Sequence, residues 1–94
     1  MSIKETLQQR GERYGAFKDV ASTTYALQAI LRDAKSHAHM SDDQLVALDM
    51  ICNKIARIVN GDPNYIENWH DIAGYATLVE QELSITKHDE EQSQ

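Results

Sequence analysis

SDDQLVALDMICNKIARIVNG, Ser41 to Gly61, is the stretch of sequence that decides the fold. Ser41 followed three residues later by Gln44 is a capping box, in which each side chain satisfies a backbone amide left open at a helix start. The two aspartates directly after the cap favour the positive end of the helix dipole. Asn60 and Gly61 are typical of a helix end. The stretch therefore predicts one long helix with well-marked ends.

This helix has an apolar half and a polar flank. At roughly 100° per residue, the apolar half collects Ala47, Leu48, Ile51, Cys52, Ile55, Ile58 and Val59. The polar flank holds Asp49, Asn53, Lys54 and Arg57. A helix with this pattern packs its apolar half on other helices. Cys52, the single cysteine, is predicted to be a core residue, and it can form no disulfide within the chain.

Two helices are predicted before this stretch. The first is short, from about Ile3 to Glu12, and the glycines around RYG mark its end. The second starts close to Asp19 and carries apolar residues at spacings of three and four as far as Ala38. The Asn-Gly pair of the sequence, Asn60–Gly61, follows a helical spacing and not the alternating apolar pattern of a strand, so no β-hairpin is predicted there.

A fourth helix is predicted after the Asp62–Pro63 turn. Asn64 and Glu67 repeat the capping-box spacing, and the helix is expected to end near Ile85. Its predicted buried stripe is Trp69, Ile72, Ala73, Ala76, Val79 and Leu83. Its predicted exposed flank is Glu67, Asp71, Tyr75 and Glu82. This interpretation makes the third and fourth helices antiparallel neighbours.

The predicted fold class is all-α, a small helical bundle of one short N-terminal helix and three longer ones. Ninety-four residues suit one domain, assigned to residues 1–86, with residues 87–94 as an acidic polar tail expected to be disordered. A short bundle with two apolar stripes often completes its core with a second copy, so we expect a homo-oligomer.

The formal charge of −6 argues against general DNA binding or attachment to anionic membranes, since both depend on clustered lysine and arginine. No apolar run is long enough to cross a bilayer. We therefore expect a cytoplasmic protein without a membrane partner. The positive charge is concentrated in residues 1–18, so a small anion could still bind at that end.

Helix four has two unusual features, an acid pair and an interior glycine. Glu67 and Asp71 lie one turn apart, where like charges repel. One explanation is that Lys54 and Arg57 form ion pairs with them across the helix contact. The other is a site in which the carboxylates hold a divalent cation such as Mg²⁺. Gly74 costs roughly 1 kcal/mol against alanine in a helix interior, so it predicts close approach by a neighbouring helix or a ligand.

RGERYGAF, residues 10–17, is a second candidate for a binding segment. Arg10 and Arg13 offer guanidinium groups to an anion, and Tyr14 and Phe17 offer an aromatic face to a base. The structural alternative is that Tyr14 and Phe17 hold the short helix on the bundle while the arginines are solvated.

RGERYGAF, KIARIVNGDP and ENWHDIAGYATL, in this order, resemble a family of short uncharacterised proteins encoded by tailed phages and prophages. The family pattern is R-Y-G, then K-x-x-R-I followed by G-D-P, then D-N-W-x-D-x-x-G-Y. Asn68, Trp69, Asp71, Gly74 and Tyr75 match the last motif, and Glu67 stands at its first aspartate. The resemblance covers nearly the whole chain.

More distantly, the chain resembles the all-α nucleotide pyrophosphohydrolases of the MazG type. Those enzymes hold magnesium with E-x-x-E on one helix and E-x-x-D on the next. Here the third helix has only Asp49 beyond its cap, and the fourth has E-x-x-x-D. The resemblance implies nucleotide binding. If the protein is an enzyme, the resemblance implies magnesium-dependent hydrolysis of the bound nucleotide.

The leading functional hypothesis is a phage or prophage accessory protein that binds a nucleotide or a related phosphorylated small molecule. The candidate ligand-binding residues are Arg10, Arg13, Tyr14, Lys54, Arg57, Asn68, Asp71 and Tyr75. The candidate metal ligands are Glu67 and Asp71, for Mg²⁺. The alternative is a non-enzymatic module that captures a host protein through exposed apolar residues such as Val46, Met50 and Leu78.

Overall fold

The computed structural model describes the backbone of residues 2–92 and the side chains as far as Lys87. It contains four α-helices and one short 3₁₀ helix, and no strand within those residues. The α-helices are α1 (Ile3–Tyr14), α2 (Phe17–Arg32), α3 (Asp42–Asn60) and α4 (Ile66–Gln92). The all-α prediction, with one short N-terminal and three longer helices, is confirmed. No helix in this part of the chain is long and apolar enough to cross a membrane.

The caps of α1 and α3 fix where these helices begin. The Ser41 hydroxyl accepts from the Gln44 amide at 3.2 Å, and the Ser41 amide donates to Gln44 Oε1 at 3.0 Å. The predicted capping box is therefore confirmed, and α3 follows it directly. At the start of α1, the Ser2 hydroxyl accepts from the Glu5 amide.

The start of α4 differs from the prediction. The capping box assigned to Asn64 and Glu67 is wrong, because the helix begins at Ile66. The Asn64 amide donates to Asp62 Oδ1 at 2.9 Å within the turn. The Glu67 carboxylate accepts from the Tyr65 hydroxyl at 2.7 Å instead of a backbone amide. This hydrogen bond raises the pKa of Tyr65 above its ordinary value.

Helix α3 is the centre of the fold. Helices α2 and α4 both pack along α3 rather than on each other, and α1 lies against α3 and α2. Small residues on α3 allow close packing, since Ala56 is fully buried and Cys52 is 4% exposed. The prediction that Cys52 is a core residue is confirmed. The three longer helices thus form one layer, with α1 added to it.

Helix α2 ends earlier than its apolar spacing suggested. It stops at Arg32, and His37–His39 form a 3₁₀ turn rather than a continuation of the α-helix. At the other end, α4 runs on to Gln92, beyond the expected end near Ile85. Residues 93 and 94 lie outside the described part of the chain, and the domain boundary at residue 86 stays a prediction.

The orientation of α4 corrects the predicted stripe. Trp69 and Leu83, expected to be buried, are 54% and 53% exposed, and Ala73 and Ala76 are exposed as well. As far as Lys87, the most buried residue of α4 is Asn68, at 1% exposure. Ile72 and Val79 of the predicted stripe are half-buried, so the contact with α3 keeps part of the stripe and adds the polar Asn68 to it.

The buried thiol of Cys52 allows a simple check on the core. Burial raises its pKa, and the Asp49 carboxylate raises it further. Because the thiolate is the reactive form, alkylation by iodoacetamide at about pH 8 should be at least roughly 10-fold slower in the folded protein than in urea. Equal rates in both states, measured by mass spectrometry, would contradict this packing.

Candidate functional site

Two glycines bring the end of α1 against the end of α3. Gly15 has φ 88° and ψ 173°, and a Cβ added there would lie 2.4 Å from the Asn60 carbonyl oxygen. A Cβ on Gly61 would lie 2.5 Å from the Arg13 carbonyl oxygen. The Asp62 amide donates to that same oxygen at 3.0 Å. The backbone of residues 13–15 therefore packs directly on the backbone of residues 60–62. This contact positions the side chains at the end of α1.

Alternating arginine and tyrosine side chains lie beside this contact. The guanidinium carbon of Arg57 is 4.5 Å from the centroid of the Tyr14 ring, and that of Arg10 is 5.2 Å away. Tyr14 also meets the edge of Tyr65, with 5.8 Å between ring centroids. Arg13 lies over Tyr65 at 5.5 Å. Cation–π contacts of this kind hold guanidinium groups in place while their N–H donors remain available to an anion.

A cavity of about 420 Å³ opens between α1, α2 and α3 at this cluster. Its lining residues are Leu7, Arg10, Gly11, Tyr14, Gly15, Ala16, Phe17, Val20, Asn53 and Arg57. None of these residues is acidic, although the chain as a whole carries a formal charge of −6. The cavity thus combines two fixed positive charges, one amide and apolar walls, a composition suited to an anion with an apolar part.

The start of α2 forms one side of this cavity. Its N-cap, Ala16, has no side chain that could accept from the first amides of the helix, and both Ala16 and Phe17 line the cavity. Backbone amides at a helix start favour a bound anion, as does the helix dipole. The Phe17 side chain is 87% exposed at the rim, so its ring is free to stack on a planar group.

The other predicted binding residues lie between α3 and α4. The Lys54 ammonium is 3.2 Å from Asp71 Oδ2, with side-chain exposures of 10% and 34%. The Asn68 side chain is buried, and its Nδ2 has no hydrogen-bond partner within residues 2–92. Tyr75 is half-buried in the next turn. These residues form a helix contact and do not line the cavity.

The structure therefore divides the predicted site residues into two groups. Arg10, Tyr14 and Arg57 line the cavity. Arg13 does not line it, and its guanidinium group lies over the Tyr65 ring. The second group is Lys54, Asn68, Asp71 and Tyr75. Of the ion pairs considered from the sequence, Lys54 with Asp71 forms, whereas the Arg57 guanidinium lies over Tyr14. Within the described residues, no three His, Cys, Asp or Glu side chains form a group that could hold a metal ion.

Two residues of the cavity, Asn53 and Phe17, were not among the candidate ligand-binding residues predicted from the sequence. Asn53 lies one turn before Arg57, and the sequence had placed both on the polar flank of the third helix. Phe17 was interpreted either as part of a binding segment with an aromatic face or as a packing residue, and its exposure contradicts the packing interpretation. The close approach of a neighbouring helix at Gly74 is absent, because no atom of the described chain lies within 4 Å of a Cβ added there, and the approach of a ligand stays a prediction.

Fold and cavity together define a small all-α protein with a basic, aromatic-lined cavity beside a helix start. Residues 3–83 match a family described as a domain of unknown function, DUF6378. Because the match spans most of the chain, this protein belongs to that family. No curated protein and no solved structure matches it significantly.

Proposed function

We propose that this protein binds a nucleotide or a related phosphorylated small molecule in the cavity between α1, α2 and α3. The observation that carries the proposal is the placement of the Arg10 and Arg57 guanidinium groups beside one ring in a cavity without acidic lining residues. In a chain with a net charge of −6, such a cavity is a local positive region that attracts anions.

Each group in the cavity has a role in this proposal. Arg10 and Arg57 contact phosphate oxygens, and the first amides of α2 add backbone donors on the same side. Phe17 stacks on the base, because guanidinium groups already lie over the Tyr14 ring. Asn53 supplies an amide for a polar edge of the ligand.

The proposal is limited to binding. Magnesium-dependent hydrolysis needs several oxygen ligands around the metal, and the cavity has no carboxylate among its lining residues. Any Mg²⁺ would therefore enter with the phosphates, and a metal site at Glu67 and Asp71 is not part of the proposal. The resemblance to phage and prophage proteins suggests a role in the cytoplasm of an infected bacterial cell.

Replacing the cavity arginines should weaken ligand binding. We expect Arg57→Gln and Arg10→Gln each to lower the affinity for ATP by about 10-fold or more, since a charge-assisted hydrogen bond contributes roughly 1.5–3 kcal/mol. Isothermal titration calorimetry with and without Mg²⁺ measures the effect. Arg32→Gln is a matched control, because Arg32 also lies over a tyrosine ring, Tyr25 at 5.6 Å, but outside the cavity.

Two further measurements distinguish recognition of the phosphates from recognition of the base. Pyrophosphate should compete with ATP for binding to the wild-type protein. The Phe17→Ala substitution should lower the affinity for ATP more than it lowers the affinity for pyrophosphate. If ATP, other nucleoside triphosphates and pyrophosphate all leave both the calorimetric signal and the melting temperature unchanged, the proposal is wrong. The host-protein module then becomes the better interpretation of this chain.

A further inference from the structure

The layer of α2, α3 and α4 has two faces of different character. One face carries α1 and the cavity, with Asn53 and Arg57 of α3 below them. The opposite face has no helix of the described chain on it. At roughly 100° per residue, the apolar residues that point to this open face are Leu48, Ile55 and Val59 on α3 and Trp69, Ala76 and Leu83 on α4. Ile55, Val59, Trp69 and Leu83 are 37–65% exposed.

Two grooves between α3 and α4 confirm that the faces differ. On the open face, a groove of about 310 Å³ is lined by Met40, Gln44, Ala47, Leu48, Ile51, Ala76 and Val79, of which only the glutamine is polar. The groove on the other side of the same helix pair includes Asp42, Asp43 and Glu82. The lining of the groove on the open face is therefore uncharged, in a chain with a net charge of −6, although Glu80 and Lys87 lie on the same side of α4 as Ala76 and Leu83.

Trp69 is held in place on the open face. Its indole N–H donates to the Pro63 carbonyl oxygen at 2.9 Å, and the side chain stays 54% exposed. A fixed tryptophan with its polar group satisfied and its ring exposed loses little conformational freedom when another surface covers it. Trp69, Ala76 and Leu83 follow at intervals of seven residues, as in the seam between packed helices.

The exposed surface of the chain is larger than that of a compact monomer of the same mass. The accessible surface is 7228 Å² for 10.7 kDa, whereas a compact monomer of this mass exposes roughly 5,500 Å². The radius of gyration is 16.7 Å, against about 12 Å for a compact chain of this length. The difference from a compact monomer, roughly 1,700 Å², is larger than the ~800 Å² that each partner buries in a standard interface.

We propose that a second copy of this chain covers the open face, in a twofold dimer in which α3 and α4 of each copy pack on those of the other. A helical layer becomes stable when its apolar face is buried against a second layer, and a twofold interface needs only one self-complementary surface. None of the apolar residues named above for the interface carries a charge. Because the cavity lies on the other face, this inference is independent of the ligand proposal.

A matched pair of substitutions on α3 tests the dimer. Val59 points to the open face and Val46 to the opposite one, with exposures of 65% and 60%. Val59→Glu should weaken dimerisation by at least about 100-fold, because it places an unpaired charge in the interface of each copy. Val46→Glu should leave dimerisation unchanged. Sedimentation equilibrium over a range of concentrations measures both variants and wild type.

The outcomes separate the possible occupants of the face. Wild type with twice the mass of one chain, and a melting temperature that rises with concentration, supports the dimer. If Val59→Glu unfolds while Val46→Glu remains a folded dimer, the proposal is also supported, since Val59 is exposed in the single chain. A monomeric wild type at about 100 µM, or a Val59→Glu variant that dimerises like wild type, overturns it.

Discussion

Replacing Gly15 by alanine should lower the free energy of unfolding by about 2–5 kcal/mol. Its φ of 88° and ψ of 173° lie in a region that is open almost only to glycine. The added Cβ would also come within 2.4 Å of the Asn60 carbonyl oxygen. A loss of this size is a large part of the roughly 5–15 kcal/mol that stabilises a small domain. Urea denaturation followed by circular dichroism measures it.

The other glycines provide the comparison. Gly61→Ala should be similarly destabilising, because its Cβ would lie 2.5 Å from backbone atoms of Arg13 and Tyr14. Gly11→Ala and Gly74→Ala should instead stabilise the protein by up to about 1 kcal/mol, since both positions are helical and open. If Gly15→Ala is as stable as Gly11→Ala, the contact between the ends of α1 and α3 does not exist as described.

The second large effect is expected at the ion pair between α3 and α4. Asp71→Asn should cost about 1–3 kcal/mol, because it leaves the Lys54 ammonium buried without its carboxylate. Lys54→Met should cost less than about 1 kcal/mol. It keeps an apolar stem in the contact and leaves only Asp71, which is 34% exposed and can be hydrated. The two substitutions differ in cost because the Lys54 side chain is more buried than the Asp71 side chain.

A double variant shows whether the two residues act through each other. Lys54→Met combined with Asp71→Asn should recover most of the stability lost in Asp71→Asn alone. Asp49→Asn, an exposed acid on the same face of α3 as Asn53, is the control and should change stability by less than about 0.5 kcal/mol. If Lys54→Met is the more destabilising single change, the buried-cation explanation is wrong.

The residues of the cavity were only partly predictable. Arg10 and Tyr14 lie one turn apart in α1, so their proximity is a local property of the helix. The contact of Tyr14 with Arg57 joins residues far apart in sequence, and it depends on how Gly15 meets Asn60. Lys54 and Arg57 lie roughly 60° apart on one side of α3, yet Lys54 meets Asp71 of α4 and Arg57 meets Tyr14 of α1, because these two helices pack on either side of that flank.

Local sequence determined where the helices begin, to within two residues, and where α3 ends, whereas the ends of α2 and α4 were wrong. The Ser41 cap, the apolar spacings and the few turn residues act within one or two turns of the chain, so they can be read without knowing the fold. Only the tertiary structure decided which side of α4 meets α3. The buried Asn68 and the Lys54–Asp71 pair occupy that contact, and the apolar stripe with Trp69 points outward. The burial of a side chain depends on the residues of the neighbouring helix. The spacing of apolar residues within one helix does not show which residues those are.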